Sequence, residues 1–243
     1  MRLDVYLAEN KLVVSRAKGK EMVENGCVTV NGKAIQKPSF PVEEGDTVQL
    51  LENPLQKYVG RGGLKLEAAL DAFSLSPVGC IALDVGASSG GFTDCLLQRG
   101  AAEVYAVDSG TDQLHPKLRE DARVHSMEGT NARYLTEGSF PATPTFAVMD
   151  VSFISQTLLF PMLSRVLAPG AVLVSLVKPQ FEAGREALGK DGIVKSDVLR
   201  KKALERVLSA AEGCGFQVCG VMDSPILGGD GNREYLAYLK KSF

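Results

Sequence analysis

Four charged residues, two lysines and two carboxylates, stand at positions that suit joint chemistry. Lys178 ends the apolar segment "VLVSLV" and precedes a proline, and Asp150 ends the apolar part of "AVMDVSF". Glu234 begins the last predicted strand, and Lys65 lies in the helix before the first strand of the larger sheet. Ligands of an open parallel sheet bind at the carboxyl ends of its strands, so we expect these side chains to converge there. Each of them alone also fits a solvated strand end.

This set of side chains suits the transfer of a methyl group to a hydroxyl. A ribose hydroxyl is a weak nucleophile near neutral pH and needs a base placed at its proton. We take Lys178 as that base, which requires that its neutral form be accessible through burial or a cationic neighbour. Lys65 is the candidate neighbour, while Asp150 and Glu234 orient the lysines and balance their charge. Alignment of the reacting atoms contributes about 7–11 kcal/mol, whereas the base adds a factor of about 10²–10⁴.

A glycine-rich segment, "LDVGASSGGF", closes the first strand of this sheet and opens a helix, where glycines let the backbone approach a ligand closely. Ser88 takes the place of the middle glycine of GxGxxG, which argues against a nicotinamide-dependent oxidoreductase. Asp108 ends the second strand, where a ribose would be held, and Asn131 follows the third, where an adenine or its ribose would lie. The order of these features predicts a nucleoside cofactor, although turn glycines and solvated acids give the same pattern. The candidate cofactor-binding residues are Asp84, Gly86, Ser88, Gly90, Gly91, Phe92, Asp108 and Asn131.

The elements that position these residues begin at Leu64, where predicted strands and helices alternate. Such alternation predicts an α/β fold with a parallel, doubly wound sheet, here of seven strands. The last two strands, "FQVCGVMDS" and "EYLAYLKK", are joined by a segment too short for a crossover helix, so we expect them to be antiparallel neighbours. A mostly parallel sheet with one antiparallel strand near its end is the Rossmann-like architecture of S-adenosylmethionine-dependent methyltransferases. We assign residues 64–243 to this domain, 58–63 to a linker and 1–57 to a small α+β domain.

The small domain reads as two short helices followed by strands, with an Asn-Gly turn after "CVTV" that predicts a hairpin. Basic residues crowd the start of its second helix and flank this turn, an arrangement that suits phosphate contact and equally a solvated basic face. A second basic region, with seven basic and four acidic residues between Arg185 and Arg206, follows Lys178. We expect this region to close over RNA, although an exposed loop explains it as well. The candidate RNA-binding residues are Arg2, Arg16, Lys18, Lys20, Lys33, Lys37, Arg61, Lys201 and Lys202.

Composition limits the remaining possibilities. The 243-residue chain has a formal net charge of −2, so nucleic-acid binding must come from local patches. Its five cysteines form no CxxC pair and there are two histidines, which argues against a metal site or a disulfide framework. We find no signal sequence and no apolar run of about 20 residues, and therefore expect a cytoplasmic protein without a membrane partner. The sequence does not specify an oligomeric state.

The residues together resemble a known family. Lys65, Asp150, Lys178 and Glu234 match in order the Lys-Asp-Lys-Glu tetrad of FtsJ-like ribose 2′-O-methyltransferases. The segments "RLDVYL", "SRAKGKEMVENGCVTVNG" and "KPS" resemble the RNA-binding domain named after ribosomal protein S-four. Combined with "YVGRGGLKLEAAL", "GASSGGFTDCLLQRGA", "TNAR", "DVSFIS" and "LVKPQFEAG", they are similar to the TlyA family, often labelled hemolysin A.

The resemblance implies a methyltransferase that uses S-adenosylmethionine to modify the ribose of a cytidine in ribosomal RNA. It implies that Lys178 is the base, that Asp150 and Lys65 assist, and that Glu234 completes the tetrad. The short N-terminus resembles the short form of the family, which favours the large ribosomal subunit as substrate.

Two alternatives stand beside this interpretation. The hemolysin label suggests a membrane-active protein, but the sequence has no spanning segment, no basic amphipathic helix with an aromatic face and no tryptophan. An RNA-binding protein without methyltransferase activity is the second alternative. The intact tetrad and the glycine-rich segment argue against it.

Overall fold

The computed structural model describes residues 1–24, 26–51, 57–189, 191–229 and 231–242, apart from the side chain of Arg185. Lys190, one of the basic residues predicted to close over RNA, lies outside the described residues. The chain divides into two compact units, Met1–Lys57 and Tyr58–Phe243. Residues 58–63, expected as a linker, belong to the second unit, and its first helix begins at Gly62.

The first unit packs two helices against a three-stranded antiparallel sheet. Its elements are α1 (Leu3–Glu9), α2 (Arg16–Glu24), β1 (Val28–Val30), β2 (Lys33–Ala34) and β3 (Val48–Leu50), and the strand order is β2-β1-β3. The Asn-Gly turn joins β1 to β2, and both of its residues have positive φ angles, 52° at Asn31 and 76° at Gly32. The predicted hairpin is therefore confirmed, because two positive φ angles are what a two-residue turn of this type requires.

The second unit is a seven-stranded sheet with helices on both faces. Its strands are β4 (Ile81–Val85), β5 (Glu103–Val107), β6 (Val124–Met127), β7 (Phe146–Met149), β8 (Val172–Val177), β9 (Phe216–Asp223) and β10 (Tyr235–Lys241). Its helices are α3 (Gly62–Ala72), α4 (Gly91–Gln98), α5 (Pro116–Arg119), α6 (Phe160–Val166), α7 (Pro179–Glu182) and α8 (Asp197–Gly213). Short 3₁₀ helices cover Ala132–Tyr134, Glu137–Ser139, Gln156–Leu158 and Arg185–Ala187.

The strand order β6-β5-β4-β7-β8-β10-β9 confirms the predicted Rossmann-like architecture. Strand β10 is antiparallel to both of its neighbours, and its first residue, Tyr235, pairs with Val177 at the end of β8. Glu234, which precedes β10, is therefore at the same edge of the sheet as the carboxyl end of β8. This placement was predicted from the short connection between the last two strands.

The parallel strands β4, β5, β7 and β8 bury both of their faces, whereas the edge strand β6 is only partly buried. Alternate residues of β4 belong to different apolar clusters, with Leu83 and Val85 on one face and Ala82 on the other. Burial on both faces explains why these strands read as continuous apolar runs in the sequence. No helix in the described part of the chain is long and apolar enough to cross a membrane.

The turn after β4 brings its backbone against the end of β7. Gly86 has a φ of +88°, and a Cβ built on it would lie 2.5 Å from the carbonyl oxygen of Asp150. Glycine is required here for two reasons, the positive φ and the close approach of a second backbone.

We predict that Gly86→Ala destabilises the protein more than Gly79→Ala does. Gly79 also has a positive φ, +69°, but no heavy atom lies within 4 Å of a Cβ built there. Gly79→Ala should cost about 1–2 kcal/mol through backbone strain. Gly86→Ala should cost a further 1–3 kcal/mol, roughly, through the steric conflict with Asp150. Urea denaturation followed by circular dichroism measures both; equal midpoints for the two variants would contradict the packing described here.

Candidate active site

Lys178 and Asp150 form an ion pair at the carboxyl ends of the neighbouring parallel strands β8 and β7. The Nζ atom of Lys178 lies 2.6 Å from Oδ1 of Asp150, and the two side chains are 12% and 22% exposed. This contact is close but does not have hydrogen-bond angles. Nζ instead donates a hydrogen bond of 2.8 Å to Oγ of Ser152. The amine of Lys178 is thus contacted by two side chains, Asp150 and Ser152, that lie on the same loop after β7.

Lys65 and Glu234 form a second ion pair, which is more deeply buried. Nζ of Lys65 lies 2.6 Å from Oε2 of Glu234, and the side chains are 10% and 2% exposed. The backbone of Gly228 packs closely against the carboxylate, since a Cβ built on this glycine would lie 2.5 Å from Oε1 of Glu234. Such a pair balances its own charge, and removing one partner would leave an uncompensated buried charge.

The helix α3 links the two ion pairs. Gly62 lies one turn before Lys65, and a Cβ built on it would be 3.7 Å from Oδ2 of Asp150. The four predicted catalytic residues therefore belong to one edge of the sheet, where the structure arranges them as two separate lysine–carboxylate pairs.

A cavity of about 660 Å³ opens beside Asp150, within the usual size range of small-molecule sites. Four of the predicted cofactor-binding residues line it, and a smaller cavity of about 190 Å³ adjoins it. The predicted residues lining the larger cavity are Gly86, Ser88, Asp108 and Asn131. Gly86, Ser88, Asp150 and Ser152 line both cavities, whereas Arg61, Gly91, Phe92 and Lys178 line only the smaller one.

Asp108 fixes the shape of the glycine-rich turn. Its carboxylate accepts hydrogen bonds from the backbone N–H groups of Ser88 (2.8 Å) and Gly110 (2.7 Å). Ser88 has a φ of 47°, a left-handed conformation that is unusual for a residue other than glycine. A carboxylate has about four lone-pair positions, so Asp108 retains acceptor capacity toward a ribose in the cavity. Asn131 accepts a hydrogen bond from the N–H of Arg133 and caps the 3₁₀ helix at the cavity wall.

Asp84 lies below the glycine-rich turn and is fully buried. Its Oδ2 accepts a 2.7 Å hydrogen bond from the hydroxyl of Thr93, while Oδ1 has no hydrogen-bond partner among the described residues. The pKa of Asp84 is raised to about 7, mainly by burial; the negative charge of Asp150 acts in the same direction, and the Thr93 hydrogen bond acts against both. Gly90, which is also buried, is the N-cap residue of α4 and has a φ of +92°.

These features fit S-adenosylmethionine. The glycine-rich turn offers close backbone approach, and Asp108 offers a carboxylate toward a ribose. Asp84, a predicted cofactor-binding residue, is instead fully buried and lines neither cavity. Within the described residues there is no group of three or more His, Cys, Asp or Glu side chains that could hold a metal ion.

Sequence reasoning missed three residues of the site. Ser152 contacts Lys178, Thr93 contacts Asp84, and Phe153 lines the larger cavity while being 92% exposed. Each lies next to, or within three residues of, a predicted site residue. Adjacency to those residues was the available signal, but it does not say which neighbour points toward the site.

In the first unit, two of the predicted RNA-binding arginines surround a buried carboxylate. Asp4 is 1% exposed and accepts hydrogen bonds from Arg2 (2.9 and 3.1 Å) and Arg16 (3.0 Å). Hydrogen bonding to Arg2 outweighs burial and holds the pKa of Asp4 at about 2. Lys18 and Lys20 pair with glutamates one turn along α2, while Lys33 and Lys37 are exposed.

In the second unit the predicted basic residues differ in role. Lys201 and Lys202 are exposed on α8, and Arg61 is exposed beside the smaller cavity. Arg200, counted in the same basic region, is instead 7% exposed and donates to the backbone carbonyls of Val194 (2.7 Å) and Lys195 (3.0 Å). These hydrogen bonds hold the loop before α8 in place, and the guanidinium of Arg200 is therefore not available at the surface.

Comparison with known proteins identifies the family of the chain. A sequence model of FtsJ-like methyltransferases matches residues 58–241, and one of the S4 domain matches residues 1–48. YqxC of Bacillus subtilis (strain 168) is 47% identical over 98% of this chain and 85% of its own length. TlyA of Mycobacterium tuberculosis (strain H37Rv), named 16S/23S rRNA (cytidine-2'-O)-methyltransferase, is 38% identical over 98% of this chain and 89% of its own length.

A solved structure of a Streptococcus thermophilus protein is similar along the whole chain. It has 48% sequence identity and a TM-score of 0.77, and the match covers 100% of this chain and 88% of that one. The chain therefore belongs to the TlyA family of FtsJ-like methyltransferases, with an S4 domain at its N-terminus and S-adenosylmethionine as its methyl donor.

Proposed function

We propose that this chain transfers a methyl group from S-adenosylmethionine to the 2′-hydroxyl of a cytidine in ribosomal RNA. The observation that carries the proposal is the Lys178 amine, held by Asp150 and Ser152 at the border of two adjoining cavities. The larger cavity suits the cofactor. The smaller one, lined by Lys178 and Arg61, suits the reacting ribose and its phosphate.

The residues of the chain have separate roles in this mechanism. S-adenosylmethionine supplies an electrophilic methyl group when bound. Lys178 gives up one proton to Asp150 or to solvent, and its neutral amine then takes the proton of the ribose hydroxyl. Ser152 fixes the direction of the lysine, and the Lys65–Glu234 pair joins α3 to the start of β10 beside it.

Recognition of RNA is assigned to residues 1–57 and to exposed cations of the second unit. We propose that residues 1–57 are an RNA-binding domain, that 64–243 are the catalytic domain and that 58–63 connect them. Arg2, held by Asp4, and the exposed Lys33 and Lys37 suit phosphate contacts, as do Lys201 and Lys202 on α8. The cytidine is supported by the name of the M. tuberculosis relative.

We favour the large ribosomal subunit as the substrate and the cytoplasm as the location. A relative from Campylobacter jejuni, 31% identical over the whole of both chains, is named 23S rRNA (cytidine-2'-O)-methyltransferase TlyA, and this name supports the large subunit. The name of the M. tuberculosis relative covers both 16S and 23S rRNA. Ribosomal RNA is a substrate found where ribosomes are assembled and used, which supports a cytoplasmic location.

Lys178→Met and Lys178→Arg should both lower the single-turnover rate of methyl transfer by at least about 10²-fold, because neither side chain can accept the hydroxyl proton. Binding of S-adenosylmethionine, measured by calorimetry, should be unchanged in both variants. The arginine variant keeps the positive charge and is the matched control. A rate near that of the wild type in Lys178→Arg would show that charge alone suffices and would refute the base role.

Lys33→Glu combined with Lys37→Glu should weaken binding to ribosomal RNA and make it less dependent on salt. The magnitude of the slope of log affinity against log salt should fall by about one for each phosphate contact that is lost.

The double variant Lys201→Glu, Lys202→Glu should weaken RNA binding and its salt dependence in the same way, without affecting cofactor binding. Arg165→Glu with Lys240→Glu makes the same change of charge at exposed positions near the opposite edge of the sheet. Equal weakening in this control would mean that binding follows net charge and not these surfaces.

Purified large subunits lacking the modification should accept labelled methyl groups from this protein faster than small subunits do. Label recovered in small-subunit RNA alone would contradict the large-subunit assignment. Lys178→Met serves as the negative control for each substrate.

A further inference from the structure

A buried polar cluster lies within a few residues of the catalytic groups, and the mechanism above does not use it. It is formed by Ser155, Gln156, Ser175 and Glu182, which we call the loop clamp. The last three of these side chains belong to residues that are 1%, 0% and 3% exposed, respectively. A buried carboxylate among neutral polar groups needs an explanation, because burying a charge is costly unless it is well hydrogen-bonded.

Gln156 attaches the clamp to strand β8. Its Nε2 donates a 2.5 Å hydrogen bond to the carbonyl oxygen of Leu176, and its Oε1 accepts a 2.6 Å hydrogen bond from the hydroxyl of Ser175. Both ends of the amide are therefore satisfied by the residues that lead directly to Lys178.

Glu182 attaches the clamp to the segment after Lys178. Its Oε2 accepts a 2.6 Å hydrogen bond from the hydroxyl of Ser155, and its Oε1 accepts a 2.8 Å hydrogen bond from the backbone N–H of Gln156. Arg206 donates to the backbone carbonyl oxygen of Glu182 at 3.2 Å, which holds the end of α7 from the side of α8. Burial raises the pKa of Glu182, and the bonds from Ser155 and Gln156 act in the opposite direction.

The clamp connects the segments that follow β7 and β8 beyond the pairing of these two strands with each other, while β8 remains paired with β10 up to Val177. The pairing of β7 with β8 ends at Met149 and Ser175, so Asp150 and Lys178 both lie beyond the last paired residues. One connected segment, residues 150–156, carries Asp150 and Ser152 at its start and half of the clamp at its end. The other, residues 175–182, carries Lys178 between the two attachment points of the clamp.

An apolar contact would stabilise the same junction at a lower cost of desolvation. Hydrogen bonds with fixed directions add something that apolar packing lacks, which is a defined relative position of the two segments. That position sets the distance between the lysine amine and its partners. A misplacement of about 1 Å at reacting groups can lower a rate about 10²-fold.

We infer that Glu182 and Gln156 are positioning residues for methyl transfer, which hold the segment bearing Asp150 and Ser152 in register with Lys178. This inference rests on the proposed function for its catalytic consequence and on the hydrogen bonds above for its geometry. Neither residue lines the cavities described, so their effect on the rate passes through the catalytic lysine and its partners.

The test compares Glu182→Ala, Glu182→Gln and Val104→Ala in the full-length protein. Val104 is fully buried in β5, away from β7 and β8, and controls for loss of stability. Three quantities are measured for each: the single-turnover rate with saturating ribosomal RNA and S-adenosylmethionine, the affinity for S-adenosylmethionine, and hydrogen exchange of residues 150–156 and 175–182. The melting temperature of each variant is recorded alongside.

Glu182→Ala should lower the rate about 10–100-fold, leave cofactor affinity unchanged and speed exchange in both segments together. Glu182→Gln should recover most of the rate, because an amide still bonds to Ser155 and to the N–H of Gln156. Val104→Ala should lower the melting temperature while keeping the wild-type rate. A Glu182→Ala rate equal to that of Val104→Ala, or a parallel loss of rate and cofactor affinity, would overturn the inference.

Failure of the proposed function would look different. The wild-type protein would then leave ribosomal RNA unmethylated, and the catalytic role of the clamp would fall with it. Hydrogen exchange would still report on the geometry, since coupled exchange of the two segments in Glu182→Ala depends on the clamp alone. Unchanged exchange in that variant would overturn the clamp itself.

Discussion

The site depends on one electrostatic constraint: a lysine amine and a carboxylate lie 2.6 Å apart at the ends of two adjacent parallel strands. Both groups are largely removed from solvent, so their attraction is stronger than it would be in water, and so is the cost of misplacing either one. Strand pairing brings Asp150 and Lys178 to the same edge of the sheet. Ser152 and the loop clamp then determine how the two groups face each other.

The antiparallel strand β10 supplies the rest of the arrangement. If β10 ran parallel to its neighbours, Glu234 would precede it at the opposite edge of the sheet. Because it runs antiparallel, Glu234 meets Lys65 on α3, and the first turn of that helix lies against Asp150. The same helix lies beside the smaller cavity, and the glycine-rich turn separates that cavity from the larger one. Topology thus places next to each other the two cavities that we propose for the acceptor ribose and for the cofactor.

Much of the fold was predictable because each buried strand is an apolar run with a clear end, and because the connection before β10 is too short for a crossover. The residues at strand ends followed from the same logic. What could not be predicted was the pairing between them: Lys65 with Glu234, Asp108 with two backbone N–H groups, and Arg200 with two carbonyls. These contacts depend on side-chain direction and loop geometry. Neither of these produces a repeating pattern in the sequence, unlike the apolar patterns that reveal helices and strands.

The central claim is that the chain methylates a ribose hydroxyl, and the nucleoside product tests it most directly. Ribosomal RNA treated with the protein and S-adenosylmethionine is digested to nucleosides and analysed by mass spectrometry. We expect 2′-O-methylcytidine, with the added methyl group on the ribose fragment. A methyl group on the base fragment, or no methylated nucleoside at all, would contradict it.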